Sequence, residues 1–484
     1  MTTWLLALAS SILLILSVPG HGAQWLAWVA LAPLLYAMAS ERRPRVRFLA
    51  GWLAGAVYWW VVCFWIEYVL QQHGGMSLGL AWFAFTLFGL YKALHLAVFS
   101  LLVGWTRSRL WTPLLWAALW VGIERTHGTF GFAWVPLGGA GIDTAWLMRA
   151  APFFGVYGLS FVFALAAALL AAAVLARSPR PLVLAPLCMF PLLLTAPTTV
   201  PADQQAVVVQ PAMPESAEWT RDFLDQRLAR LAYLSFQKAA GHPKSLIIWP
   251  EMPGPVYFES DPAFRQLAID IATRNDDYFL FGTTIRDAKG NPYNSAIMLN
   301  PDGGVNGRYD KINLVPFGEF VPSAFSWVNK ITGETGDFAA GSRLTLFPVE
   351  GTRAGVFICY ESAFPDHVRQ FANNGAGFFV NVSNDGYFGH SRAREQHLSI
   401  VRMRAAENSR WTIRATNNGI TAVVDPLGHV VEKIAEWRET SQVVSYGVSA
   451  ATTFYSRHGD WFASLCLGAG MLGCLRFNSG SGKQ

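Results

Sequence analysis

The sequence predicts a polytopic α-helical membrane domain of about eight spans followed by an α/β layered domain. Three observations carry this. The 484 residues are 52% hydrophobic and 14% charged, with 20 Trp and a mean hydropathy of +0.29, too apolar for a soluble enzyme of this length. Acidic residues are nearly missing from 1–200, whereas 201–455 has mixed charge and Gly, Pro and Asn turns. Cys359 is the only cysteine of that second stretch, since Cys63, Cys188, Cys466 and Cys474 fall in apolar runs.

A span needs about 20 mostly apolar residues. Apolar runs cover 4–19, 24–40, 48–70, 77–105, 111–123, 156–176, 182–197 and 460–475. Several are short, and 111–123 also fits a re-entrant or interfacial piece. Basic residues follow every second run: Arg42, Arg43, Arg45 and Arg47; Arg107 and Arg109; Arg177 and Arg180; Arg476 and Lys483. The positive-inside rule puts those connections in the cytoplasm and 198–459 outside. Arg125 and Arg149, on the outer side, are exceptions. The first run also fits a signal peptide, but it lacks a basic n-region and further apolar runs follow. Lys92 and His95, within the fourth run, fit snorkelling or a helix–helix contact better than a site. The aromatic connection 124–150 reads as interfacial.

The expected parts are 1–200 with seven transmembrane helices, an extracytoplasmic catalytic domain at 201–455, and 456–484 with a last helix and cytoplasmic tail. Within 201–455, strand-like and helix-like stretches alternate. Strands are expected at AVVVQ from 206, SLIIW from 245, YFLFGTTI from 278, NSAIMLN from 294, LTLFPV from 344, AGVFIC from 354, FFVNVS from 378, TIRATN from 412 and ITAVV from 420. Helices are expected at 221–240, 262–274, 365–373 and 392–409, which gives layers with buried sheets.

Glu251 in LIIWPE, Lys311 in YDKINLVPFGEF and Cys359 all lie where strands end, and such ends can assemble a site from distant sequence. A thiol needs a base to become a nucleophile and a cation to hold the oxyanion it creates. Each residue alone has a plainer reading. Cys359 fits buried filler, Glu251 a cap, Lys311 with Glu319 a surface ion pair, Trp219 packing or membrane anchoring, and Tyr360 the core. Arg402, Arg404, Glu407 and Arg410 fit a structural helix face.

Taken together, WPE at 249–251, YDKINLVPFGEFVP at 309–322, ICYE at 358–361 and SNDGYFG at 383–389 resemble the nitrilase superfamily. With the flanking spans, RMRAAENSR at 402–410, ATNNGITAVVDPLG at 415–428 and TFYSRHGDW at 453–461, the whole chain resembles the apolipoprotein N-acyltransferases of bacterial envelopes. The resemblance implies a nitrilase-like αββα sandwich and a Glu-Lys-Cys triad. Cys359 would be the nucleophile taking an acyl chain from a phospholipid, Glu251 the base and Lys311 the oxyanion stabiliser. The acceptor implied is the α-amino group of the S-diacylglyceryl-cysteine of an apolipoprotein. The resemblance also brings forward Glu319, Tyr360, Glu361 and Trp219, and Tyr387 stands where many relatives have Trp. MPGPVYF after the base is a second departure. Glu319 or Glu361 beside Glu251 would couple the carboxylates. It implies a multi-pass protein of the bacterial inner membrane with its catalytic domain on the periplasmic side.

A membrane-tethered amidase, in which water resolves the thioester, and a non-catalytic lipid or lipoprotein binder are the alternatives. Neither a cofactor nor a metal is expected, because His367, His390 and His397 lack ligand spacing. A net charge of +5, largely from the cytoplasmic loops, does not suit nucleic acid, and a monomer is expected. The loop from Glu319 to Leu344, rich in aromatics and glycine, suits a mobile lid at the bilayer surface.

Overall fold

The computed structural model describes residues 1–106, 110–130, 132–214, 218–242, 244–316, 318–320 and 338–478. Arg107, Arg109, Lys483 and most of the expected lid lie outside them. The chain divides into two units: Met1–Glu67, Ser77–Ala196 and His458–Gln484 in one, Tyr68–Met76 and Pro197–Arg457 in the other.

The first unit is helical. Leu78–Val103 and Ala151–Ala176 are each long and apolar enough to cross a membrane, and Pro44–Val62 with Trp65–Gln72 makes a third candidate bent by 59°. Thr2–Ser17, Gln24–Ser40, Arg180–Leu193 and Trp461–Leu475 are shorter apolar helices. Thr112–Thr129 is helical too, and contains Glu124 and Arg125. In Arg180–Leu193 the prolines 186 and 191 remove donors that an α-helix needs, and the segment winds as a 3-10 helix. Small residues let helices touch: a Cβ on Gly55 would lie 2.9 Å from the Ala93 Cα.

Lys92 does not snorkel. It is fully buried, donates to the Phe132 carbonyl at 2.9 Å, and stands over the Trp59 ring at 5.1 Å. The connection 124–150 is likewise drawn inward, because its rings find aromatic partners there. Trp134 lies tilted against Trp65 at 5.1 Å and Phe132 meets Phe88 edge-on at 4.9 Å, with Trp134 and Phe132 both buried.

The second unit holds two six-stranded sheets. The first runs β12-β1-β2-β3-β4-β5, with β1 Gln204–Gln210, β2 Leu246–Ile248, β3 Tyr278–Arg286, β4 Pro292–Leu299, β5 Val305–Asp310 and β12 Thr440–Tyr446. The other runs β11-β10-β9-β8-β7-β6, with β6 Leu346–Val349, β7 Thr352–Ile358, β8 Phe378–Ser383, β9 Thr412–Thr416, β10 Ala422–Val424 and β11 Val430–Lys433. Each sheet is built the same way. Three parallel strands are linked by two helices, with two antiparallel strands beyond one edge of the trio and one beyond the other. The helices are Arg221–Ala239 and Pro262–Thr273 in the first sheet, Pro365–Asn373 and Ala393–Asn408 in the second.

Local chemistry starts these elements. Thr220 caps the first helix by accepting from the Phe223 N–H, and Asp261 caps the second by accepting from Ala263 and Phe264, with Pro262 behind it. Apolar side chains of both helices, including Leu228, Leu231, Phe264 and Ile271, bury against Val207, Ile247, Phe279 and Phe281 of the sheet. Leu398 and Ala405 pack on Ile420, Ala422 and Val424 of the second sheet. Phe378 of β8 meets Tyr446 of β12 at 4.6 Å between the sheets. The layers are therefore helix, sheet, sheet, helix.

Candidate active site

The site lies at the ends of central strands. Trp249, just past β2, is fully buried against Phe279 and donates its ring N–H to Ser235 on the first helix at 2.9 Å. Two residues on, the chain turns at Glu251 and Met252, whose φ is +34°. Gly282 on β3 permits this turn, because a Cβ there would sit 2.4 Å from the Met252 nitrogen.

Glu251 is buried, and its Oε1 accepts from Lys311 Nζ at 3.2 Å and Asn294 Nδ2 at 2.7 Å. Its Oε2 accepts from the Asn384 backbone N–H at 2.8 Å, which brings the end of β2 to the equivalent strand end in the other sheet. Glu319 is the second carboxylate of the cluster. Its Oε1 accepts from Lys311 Nζ and Asn294 Nδ2, both at 2.8 Å, and its Oε2 from the Val315 N–H at 2.8 Å. This is a buried ion pair, not a surface one.

Burial works against the charge of Lys311, but Glu251 and Glu319 outweigh it and hold the ammonium well above the usual lysine range. Cys359 follows β7 with φ +49°, a left-handed turn that throws its side chain out of the strand. Burial, then the Glu251 carboxylate, push its thiol up, while Lys311 and a hydrogen bond to Ser383 pull it down. These surroundings favour the neutral thiol over the thiolate. A carboxylate, an ammonium and a thiol in mutual electrostatic reach can form and resolve an acyl-enzyme.

Residues 206–453 match the carbon-nitrogen hydrolase family, and residues 10–169 match the apolipoprotein N-acyltransferase N-terminal domain. The apolipoprotein N-acyltransferase of Geobacter metallireducens is 33% identical over 496 residues, spanning 98% of this chain and 95% of that protein. This chain belongs to the apolipoprotein N-acyltransferase family. Family members from Azotobacter vinelandii (34% identity, 92% of this chain, 88% of that one) and Chlorobaculum tepidum (28%, 96% and 95%) agree. It is an acyltransferase built on a carbon-nitrogen hydrolase domain.

The remaining expected residues of this N-acyltransferase divide by position. Glu361 does not join the carboxylate cluster. Its Oε1 accepts from Tyr309 OH (2.7 Å), Ile312 N–H (2.7 Å) and Asn313 N–H (3.1 Å), and its Oε2 from Ile358 N–H (2.8 Å). It clamps the segment carrying Lys311 to the residue before Cys359. Burial would raise its pKa, but His367 and the backbone N–H groups outweigh that and hold it below the usual range. Tyr360 is buried edge-on to Phe364 at 5.1 Å. Trp219 is partly exposed and lies over Gly254, three residues beyond Glu251. Tyr387 lies tilted against His73 at 4.1 Å, within the same unit, so the short 68–76 segment borders SNDGYFG.

Sequence reading missed Asn294, the link between the two carboxylates, and the buried group of Ser383, Asp385, His397 and Arg414. NSAIMLN reads as an ordinary strand because the partners of Asn294 are remote in sequence. Arg404 pairs with Glu407 at 2.8 Å and Arg410 bonds the Ala376 carbonyl at 2.6 Å, as a structural helix face should.

Proposed function

We propose that this enzyme moves a fatty acyl chain from a membrane phospholipid to the α-amino group of the S-diacylglyceryl-cysteine of an apolipoprotein, through a thioester on Cys359. The observation that carries this is the buried Lys311–Glu251 contact beside the Cys359 thiol, in a chain of this family.

Glu251 takes the thiol proton as sulfur attacks the ester carbonyl carbon. The carbonyl electrons move to oxygen, and Lys311 stabilises that oxyanion. Collapse expels the lysophospholipid alkoxide, which takes the proton from Glu251. In the second half-reaction the amine attacks the thioester, Glu251 receives its N–H proton, and the departing thiolate is reprotonated. Asn294 holds both carboxylates in place, and Glu319 shares the charge of Lys311.

The same reading includes about eight crossings, a membrane domain over 1–200, the catalytic domain over 201–455 on the extracytoplasmic side of a bacterial inner membrane, and a last helix in 456–484. It also includes a monomeric protein. The 3-10 winding of Arg180–Leu193 supports the count, since a rise of about 2 Å per residue stretches 14 residues to about 28 Å, near the hydrocarbon thickness.

The test is to incubate purified protein with phospholipid labelled in the acyl chain, without acceptor, and weigh the intact chain. A hydroxylamine-sensitive acyl adduct is expected on the parent and missing from Cys359→Ala. Folded, lipid-accessible protein that forms no adduct overturns the thioester route. Release of free fatty acid with no N-acylated product on adding a lipopeptide would make the enzyme a hydrolase.

A further inference from the structure

Beneath the nucleophile lies a charged group for which the mechanism above has no use. Arg414 donates to both oxygens of Asp385 at 2.6 Å and also bonds the Asn381 side chain. All three residues are fully buried. His397 stands on the same pair. Its Nδ1 is 3.1 Å from both Asp385 Oδ1 and Arg414 Nη2, and its Nε2 is 3.1 Å from the Cys359 carbonyl oxygen and 2.9 Å from Ser362 Oγ. Next to a guanidinium, the neutral ring accepts at Nδ1 and donates from Nε2–H to the Cys359 carbonyl. Ser383 closes the group. It ends β8, the parallel neighbour of β7, where Ile358 pairs with Val382, so Ser383 is placed beside Cys359. Its hydroxyl donates to Asp385 Oδ1 at 2.9 Å.

Asp385 does not need that serine proton, because Arg414 already engages both its oxygens. We propose that Ser383 is a thiolate-stabilising residue whose hydroxyl, parked on Asp385 while Cys359 is a thiol, turns to donate to the sulfur once the thiol has lost its proton. In the resting state the S–H donates to Ser383 Oγ and the serine O–H to Asp385. When Glu251 takes the thiol proton, the serine O–H rotates about its C–O bond to the sulfur anion, and Asp385 keeps Arg414 as its partner. Serine neither gains nor loses a proton. The groups that set the charge around the sulfur are then Glu251 beyond β2, Lys311 beyond β5, Asp385 beyond β8 and His397 on its helix.

This inference rests on Cys359 being the nucleophile, and its test needs neither lipid nor acceptor. Full-length protein is treated briefly with iodoacetamide from neutral to alkaline pH, and modification of Cys359 is read by peptide mass spectrometry, which separates it from the other four cysteines. In Ser383→Ala the rise of alkylation with pH should move up by about one unit, with a roughly tenfold slower reaction at neutral pH. Ser383→Gly should do the same, and Ser383→Thr, which keeps the hydroxyl, should return towards the parent. Folded Ala and Gly variants whose profiles superimpose on the parent overturn the proposal. That result would leave acyl transfer standing, because the phospholipid adduct is measured separately.

Discussion

At the scale of single residues, the site works by contrast between two kinds of carboxylate. Glu251 and Glu319 face an ammonium and an amide, whereas Glu361 spends its oxygens on backbone N–H groups and a tyrosine. Glu251→Gln keeps one oxygen to accept from Lys311, loses the acceptor for the Asn384 N–H and removes the base. Thioester formation should fall roughly 10²–10⁴-fold with a smaller loss of melting temperature from the unpaired Asn384 N–H, as stopped-time acyl-adduct measurements and thermal unfolding would report. Glu361→Gln should behave oppositely, costing about 2–3 kcal/mol of stability at neutral pH because buried donors to a charged acceptor lose it. Its folded-state pKa lies below the unfolded value of about 4.3. Its contribution is therefore present above that value and lost as pH falls through the lower one. The gap in unfolding temperature between parent and variant should narrow in acid. A gap that stays constant with pH would remove the charge from this account.

At the scale of elements, what positions Glu251, Lys311 and Cys359 is the way strands end. Gly282 lets the turn at Glu251 lie against β3, and Gly282→Ala would force that turn outward. The expected result is a loss of about 1–3 kcal/mol and a slower acyl-adduct reaction, read by thermal unfolding and adduct kinetics together. An unchanged rate would mean the turn tolerates displacement. Sequence showed the elements that carry the site, because β2, β3, β7 and β8 are rich in apolar residues and the helices between them are amphipathic, with Asp261 capping Pro262–Thr273. It did not show β5, β11 and β12, whose polar strings VNGRYD, VVEK and TSQVVSY lie on sheet edges where burial writes little pattern. Glu251, Lys311 and Cys359 were legible from motifs. Asn294 and the separation of Glu361 from Glu319 were not, since both depend on contacts between distant segments.

At the scale of the whole molecule, the helical character of the apolar stretches 1–200 and 456–484 was legible, but length alone was a poor guide to the helices. Prolines changed the winding of one, a 59° bend split another, and in 124–150 Phe132 and Trp134 are buried while Phe130 is exposed. The proposed topology has a direct check. In intact cells, a membrane-impermeant maleimide should label an exposed cysteine placed at Lys289, in the catalytic unit. One placed at Arg45 should react only after the membrane is permeabilised. Reversed labelling would turn the catalytic unit to the cytoplasm.

Lys311 bonds two carboxylates, and Asn294, which bridges them, brings no charge. Among the described residues the cluster holds two carboxylates and one cation. A lipoprotein α-amino group arriving in its ammonium form would bring a second positive charge, then shed a proton to solvent and leave Glu251 free as the base for attack, and a water molecule would bring no charge. On the proposed mechanism, the arrangement that restrains the lysine also ranks the acceptors, favouring an amine over solvent before either reaches the thioester.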